Sequence, residues 1–474
     1  MGLLPFVLLE GLCATLDWGR PDWHDDPFVG FSAVQPLFVR SDDGTRREIP
    51  RSRQSFFRPE SFPAVKGPRE FRIFCLGGST VQGRPFAVET SFTTWLEMDL
   101  RLADPGRTWE VVNCGGISYA SYRLVPILEE VLTYEPDLVV VYTGHNEFLE
   151  DREYGHIRDI PAVVARPAGL LARTRTFGLL RSAWRGIADG PGREEGKPVL
   201  GPEADAMLDY RDGIARYRRD EAWRRGGIEH YRHNVRRMIG LCRDADVPLV
   251  LVNPVSALRN CPPFKSEHRD GLTADQRRRW EALCRNAGQL IGVNPFRSAE
   301  LLKKAAAIDG QYAGLHYLRG ECLERMRRSS AARAAYVRAK ELDVCPLRML
   351  EPMHRDLLAI ARGTGTPLVD VRRLFERRSK DGIPGGVLLL DHVHPSIPGH
   401  SLIAEALFEE LKRQGVVRPR RGWQERREAA VQKHLDALGD VYFAQGRERL
   451  HRLRGWAAGR ATFGPPASGA NRGP

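Results

Sequence analysis

The 474-residue sequence predicts an α/β sandwich built on a parallel sheet of five strands. Three observations lead there. Five short runs are dense in apolar and β-branched residues, helical patterns alternate with them, and small or polar residues gather where three of the runs end. Strands covered on both faces read as continuous apolar stretches because neither face meets water.

The first strand is FRIFCL at 71–76, which runs into GGST. A helix follows at 91–102, where TWLEMDLRL carries the apolar stripe. WEVVNC at 109–114 gives the second strand, a helix spans 124–134, and DLVVVYTG at 137–144 gives the third. VPLVLVNP at 247–254 follows a helical run at 229–242, and TPLVDV at 366–371 follows one at 353–362. A last core helix, at 401–412, comes after DHVHPSIPGH at 391–400.

Two segments interrupt this order. Residues 151–227 form an Arg-, Gly- and Pro-containing insertion with a basic amphipathic piece, RTRTFGLLRSAWRG at 173–186. It is expected to cover the sheet or the mouth of the site, with a membrane surface as the alternative. The second, at 293–345, holds an internal echo: Ser298, Leu302, Ala305 and Asp309 recur 34 positions on as Ala332, Tyr336, Ala339 and Asp343. That period belongs to the tetratricopeptide helix pair, and about one and a half copies are expected. Such a unit cannot bury its apolar face alone, so it leans on the α/β core or on a protein partner. The remaining divisions are a lead-in at 1–60, the α/β domain at 61–414, and a C-terminal segment at 415–474 that reads as helix to about residue 458 and then as a disordered tail.

The formal net charge of +12 comes mainly from scattered arginines. No helix-turn-helix, zinc-finger or RNA-binding signature accompanies it, so no nucleic-acid partner is expected. Eight cysteines without a CxxC pair do not make a disulfide framework. The opening MGLLPFVLLEGLCATLDWG is apolar but broken by Glu10, and it falls short of the roughly 20 apolar residues a membrane span needs. It reads as an interfacial helix or the stump of an anchor, with peripheral or anchored membrane contact. A membrane-associated or extracytoplasmic location is thereby favoured over the cytoplasm.

Chemistry gathers at the strand ends. Ser79 follows Gly77 and Gly78 at the end of the first strand; NCGGISYAS (113–121) and GHNEF (144–148), with Asn146, follow the next two. Asp391 and His394 stand three apart on a turn closed by Pro395. At that spacing a carboxylate can hold an imidazole's Nδ1–H and leave Nε2 as a base for Ser79. Asp391, His392, His394 and His400 also form a candidate metal group. Metal ligation would leave Ser79 and Asn146 without a role, so no metal is expected, and His392 and His400 are read as neighbours of the site or as helix caps. GGSTVQG lacks the lysine of a phosphate loop and the spacing of a dinucleotide fingerprint, and no helix is expected directly after it. No cofactor is expected.

Taken together, these blocks resemble the SGNH/GDSL hydrolases, serine esterases and acyl-transfer enzymes on a flavodoxin-like sheet. GGST stands in place of GDSL, NCGGISYAS at the glycine block, GHNE at the GxND block and DHVH at the DxxH block. Three positions depart from the pattern: Gly78 replaces an aspartate, Ser118 takes the place of the oxyanion glycine just after Gly115 and Gly116, and Glu147 stands for aspartate. The resemblance implies a flavodoxin-like sheet and ester cleavage by Ser79, His394 and Asp391. It also implies an oxyanion hole from Ser79, a backbone N–H among Gly116 to Ser118, and Asn146. The implied substrate is a small-molecule or glycan ester, O-acetyl or short-acyl. Acyl transfer during envelope polysaccharide modification is the alternative, and a non-catalytic scaffold binding a partner through the helical repeat is the rival from another class. Walls of the pocket are expected from 150–227 and from 253–268, where Lys265 or Arg259 would meet an anionic group.

Overall fold

The computed structural model describes residues 4–15, 26–152, 176, 199–210 and 213–460. All five apolar runs are strands: β1 (Glu70–Gly77), β2 (Thr108–Gly115), β3 (Leu138–Tyr142), β4 (Leu249–Asn253) and β5 (Leu368–Asp370). They pair in parallel in the order β5-β4-β3-β1-β2. From the β2 edge this is 2-1-3-4-5, the flavodoxin-like order, whose switch point lies between β1 and β3. The register aligns Gly77 with Gly115 on one side and with Tyr142 on the other, so β1, β2 and β3 end level with one another. Whatever follows those three residues shares one crevice.

Helices α1 (Phe92–Ala103) and α2 (Ser121–Leu132) follow β1 and β2, and α3 (Glu221–Asp244) leads into β4. Between β4 and β5 come α4 (Ala274–Leu290), α5 (Pro295–Ile308), α6 (Ala313–Arg325), α7 (Ser329–Glu341) and α8 (Glu351–Thr364). After β5 come a short helix, Val371–Arg378, and then α9 (Ile397–Arg413) and α10 (Trp423–Arg460). Alternation along β1 sorts its side chains: Ile73 and Cys75 pack with Trp95, Leu96, Ile403 and Leu407. Phe74 and Leu76 pack instead with Leu124, Leu128, Val235, Met238 and Leu357. Helices therefore cover both faces, the condition that the continuous apolar runs require. The lead-in joins the second of these cores through Leu37, Phe38, Ile49 and Phe57.

Helices α4 to α7 form two hairpins in tandem. Their helices run from Ala274 to Glu341, so α4 precedes the segment 293–345 in which the echo falls. What hid α4 is its thin apolar stripe, Trp280, Cys284 and Ala287, in a mostly polar helix. All eight residues of the 34-residue echo are buried, and they sit in or just after the second helix of each hairpin. The unit leans on the α/β core: Tyr336 and Ala339 pack on Leu258 and Ile383, and the Asp343 carboxylate accepts the N–H groups of Phe264 (2.8 Å) and Lys265 (3.0 Å).

At the C-terminus α10, bent at Gly439 (φ +68°), crosses back over the first strand's helix. Arg427 pairs with Asp99 at 2.6 Å, Tyr442 Oη meets Thr90 Oγ1 at 2.8 Å and Arg449 Nε donates to Pro85 O at 2.7 Å. The apolar N-terminus contains a 12-residue helix, Leu4–Thr15; among the described residues no helix is long and apolar enough to cross a membrane. The amphipathic piece at 173–186, apart from Thr176, and the tail beyond 460 lie outside the described residues. All eight cysteines are buried, and none is joined in a disulfide.

Candidate active site

Ser79 opens a single helical turn, Ser79–Gln82. The turn begins inside the stretch GGSTVQG: Val81 and Gln82 donate to Gly78 O, and Gly83, at φ +90°, closes it in a conformation that favours glycine. The turn is too short to show as a periodic pattern. It lifts the Ser79 side chain off the sheet edge into the crevice.

The third member of the set comes from the far end of the sheet. Residues 391–394 lie between β5 and α9, where Leu390 N–H donates to His394 O (2.8 Å) and Ser396 Oγ caps α9 through Gly399 N–H (3.1 Å). His394 Nε2 stands 2.8 Å from Ser79 Oγ, and His394 Nδ1 stands 2.7 Å from Asp391 Oδ2. The other carboxylate oxygen, Asp391 Oδ1, accepts the N–H groups of Val393 (3.0 Å) and His394 (2.9 Å). Burial pushes the Asp391 carboxyl up, but the imidazoles of His394 and His392 and these hydrogen bonds outweigh it and hold the group well below the usual carboxylate range. It is thus a carboxylate, an acceptor only, and the proton between it and His394 sits on Nδ1. Both side chains are only 4% exposed.

On the opposite side of Ser79, the Asn146 Nδ2 group donates to Tyr119 O at 3.0 Å, which uses one of its two hydrogens. Gly78 explains itself here: a Cβ at that position would lie 2.6 Å from Asn146 Nδ2. The backbone of the glycine block is more constrained than its sequence suggests. Gly116 N–H donates to Gly77 O at 3.0 Å and Ile117 N–H to Phe56 O at 2.9 Å, so the expectation that Gly116 supplies an oxyanion donor is corrected. Ser118, turned to φ +64°, lines the cleft, and its N–H has no acceptor among the described residues. Glu147 has a structural explanation as well: its two oxygens accept the N–H and Oγ–H of Ser121, each at 2.8 Å, and so hold the start of α2.

These groups open into a cavity of about 320 Å³. Ser79, His394, Asn146 and Ser118 line it together with the apolar side chains of Ile117, Leu149, Ala206, Leu208 and Leu347 and with Arg84, Asp209, Arg452 and Leu453. The insertion does contribute, through residues 206–209. Arg452 and Leu453 come from α10, which no motif in the sequence signals. Arg84 had a signal, its place just after the Ser79 turn, where its N–H donates to Ser79 O at 3.1 Å. Lys265 and Arg259 are elsewhere: Lys265 is spent on Tyr217 O and Glu267, and Arg259 on Glu324 at 2.7 Å.

The four residues weighed as a metal group divide. Asp391, His392 and His394 present atoms within 4.8 Å of one another. His400 is set apart: its Nδ1 accepts the Phe92 N–H at 3.2 Å, capping α1 as expected. His392 borders the cavity with its ring edge against Phe264, and burial pushes it down to about 4 despite the Asp391 charge. It is neutral near pH 7.

No protein-family model and no curated protein matches the chain. Solved structures do align with it. A lipase/acylhydrolase from Enterococcus faecalis is 13% identical, with a TM-score of 0.34, over 74% of this chain and 100% of that one. An acetylxylan esterase from Geobacillus stearothermophilus is 14% identical (TM-score 0.31; 73% and 96% covered). A second acetyl xylan esterase is 12% identical (TM-score 0.31; 72% and 98% covered). With TM-scores this low, the likenesses add nothing to the geometry already described.

Proposed function

We infer that this chain is a serine esterase that cleaves a short acyl group, such as an acetyl group, from an alcohol through an acyl-enzyme. One observation carries the reading: an unbroken hydrogen-bonded line from Ser79 Oγ through both nitrogens of His394 to Asp391, at the base of a cavity. About 320 Å³ is near the lower limit for ligand sites, in keeping with a small acyl group and part of its alcohol.

In this reading Ser79 Oγ attacks the ester carbonyl while His394 Nε2 takes its proton, and Asp391 stabilises the imidazolium. The carbonyl oxygen gains charge among the N–H groups of Ser79 and Ser118 and the second Nδ2 hydrogen of Asn146. Collapse of the tetrahedral species expels the alkoxide, which takes the proton from His394. Water then repeats the sequence on the acyl-serine, and a free acid leaves.

A fluorophosphonate should label Ser79 alone, and Ser79→Ala should abolish both the labelling and the hydrolysis of 4-nitrophenyl acetate. Robust turnover by the alanine variant would end the proposal.

A further inference from the structure

Two guanidinium groups, those of Arg84 and Arg452, line the cleft. Arg84 is half-buried beside the nucleophile turn, and its side chain has no hydrogen-bond or ion-pair partner among the described residues. Burial pulls its guanidinium below the usual value, and the charges acting on it are those of Asp391, Arg58, Arg449 and Asp209. Each of these can be accounted for. Asp391 is committed to His394; Arg449 Nε is spent on Pro85 O; Arg58 Nε is buried without a partner. The remaining carboxylate among them, that of the exposed Asp209, also lines the cavity but makes no ion pair with Arg84. A half-buried cation without a counter-charge is held at a cost, and a ligand of opposite sign removes that cost. Arg84 lines the same cavity as Ser79 and His394. A short acyl group such as acetyl carries no charge, so an anion that meets Arg84 belongs to the alcohol.

We propose that Arg84 makes this cleft selective for esters whose alcohol portion carries an anionic group. The inference rests on the esterase reading above. Arg84 is then a specificity-determining residue: it meets the part of the substrate that leaves with the proton from His394, while the acyl group faces the apolar side chains.

The test uses the full chain and two probe pairs, 4-acetoxybenzoate and O-acetyl galacturonate, each set against its neutral methyl ester. The readout is the ratio of kcat/KM for carboxylate over methyl ester, which cancels any general loss of active protein. Arg84→Gln should lower that ratio about ten- to a hundredfold, the worth of one hydrogen-bonded charge. Arg84→Glu should lower it further, and Arg84→Lys should restore part of it. In the unmodified protein, added salt should slow the carboxylate esters more than their neutral mates. A ratio left unchanged by Arg84→Gln, or equal salt responses, overturns the proposal while leaving the esterase reading intact. Failure of Ser79 to react with a fluorophosphonate, together with no turnover of any of the four esters, would overturn both.

Discussion

The Asn146 side-chain amide fills the space in front of Gly78, so that a methyl group on the glycine would press against Nδ2 from 2.6 Å. Gly78→Ala should therefore push the amide off Tyr119 O and out of reach of the carbonyl oxygen. We predict a fall in kcat on the order of a hundredfold with KM nearly unchanged, in line with loss of one oxyanion donor. Gly78→Asp, which restores the residue of the SGNH pattern, should slow the reaction too. Steady-state kinetics on a short acyl ester decide it, and wild-type turnover by either variant would show that Asn146 has no part in catalysis.

Asp391→Asn tests the line of hydrogen bonds from its far end. The amide oxygen can still accept the Val393 and His394 N–H groups, which turns the NH2 group toward His394 Nδ1. Nδ1 must then accept, its proton moves to Nε2, and no base faces Ser79. A loss in kcat on the order of 10⁴ is expected at neutral pH, with the folded structure retained. A loss below tenfold would mean that the carboxylate does not set the tautomer.

Glu147 is buried and takes two hydrogens from Ser121, whose Oγ in turn accepts from Asn234 Nδ2 at 3.1 Å. Glu147→Ala strands those donors, and it should cost about 2–4 kcal/mol in urea unfolding. Because the residue next to it in sequence is Asn146, activity should fall as well. Unchanged stability would place water or another acceptor at Ser121.

Stability should peak close to pH 6.5. Below it the buried histidines act: His145 and His400 are pushed down to about 3 and His230 and His392 to about 4, by burial first. They stay neutral in the folded chain while unfolded imidazoles take up protons, so stability drops as pH falls through 6.5. Glu60 and Glu110, both pushed up to about 7 by burial and by the charge of Glu97, work the other way. From about pH 4.5 to 7 the folded state keeps protons that unfolded carboxyls release, so each lowers stability as pH rises. Once the histidines are neutral in both states this loss is unopposed, and Glu60 should remove about 1 kcal/mol between pH 6.5 and 8, the more exposed Glu110 less. Urea titrations across the range measure the curve, and Glu60→Gln should flatten its alkaline limb. A stability that climbs from pH 6.5 to 8 would contradict the assignment.

The parts legible in the sequence are those that local pattern determines. Five β-rich runs and the helices between them could be read from periodicity, and the pairing of Asp391 with His394 from a spacing of three on a turn. Gly116 was misread because its N–H is taken by Gly77 O, a consequence of strand register that no local pattern reveals. Arg452 and Leu453 reach the cleft through the packing of α10 on residues 85–90, a contact across more than three hundred positions. Helix α4 was missed because three buried residues in a polar stretch carry too little signal. In each case the missing information lies in tertiary contacts.

Ser79 and His394 are separated by 315 positions, and nearly the whole sheet is threaded between them. While the chain emerges from the ribosome, the serine is made 315 residues ahead of the imidazole that faces it. A nascent chain that has already shaped its first strands would therefore carry an inert hydroxyl until the turn at 391–394 has followed and docked.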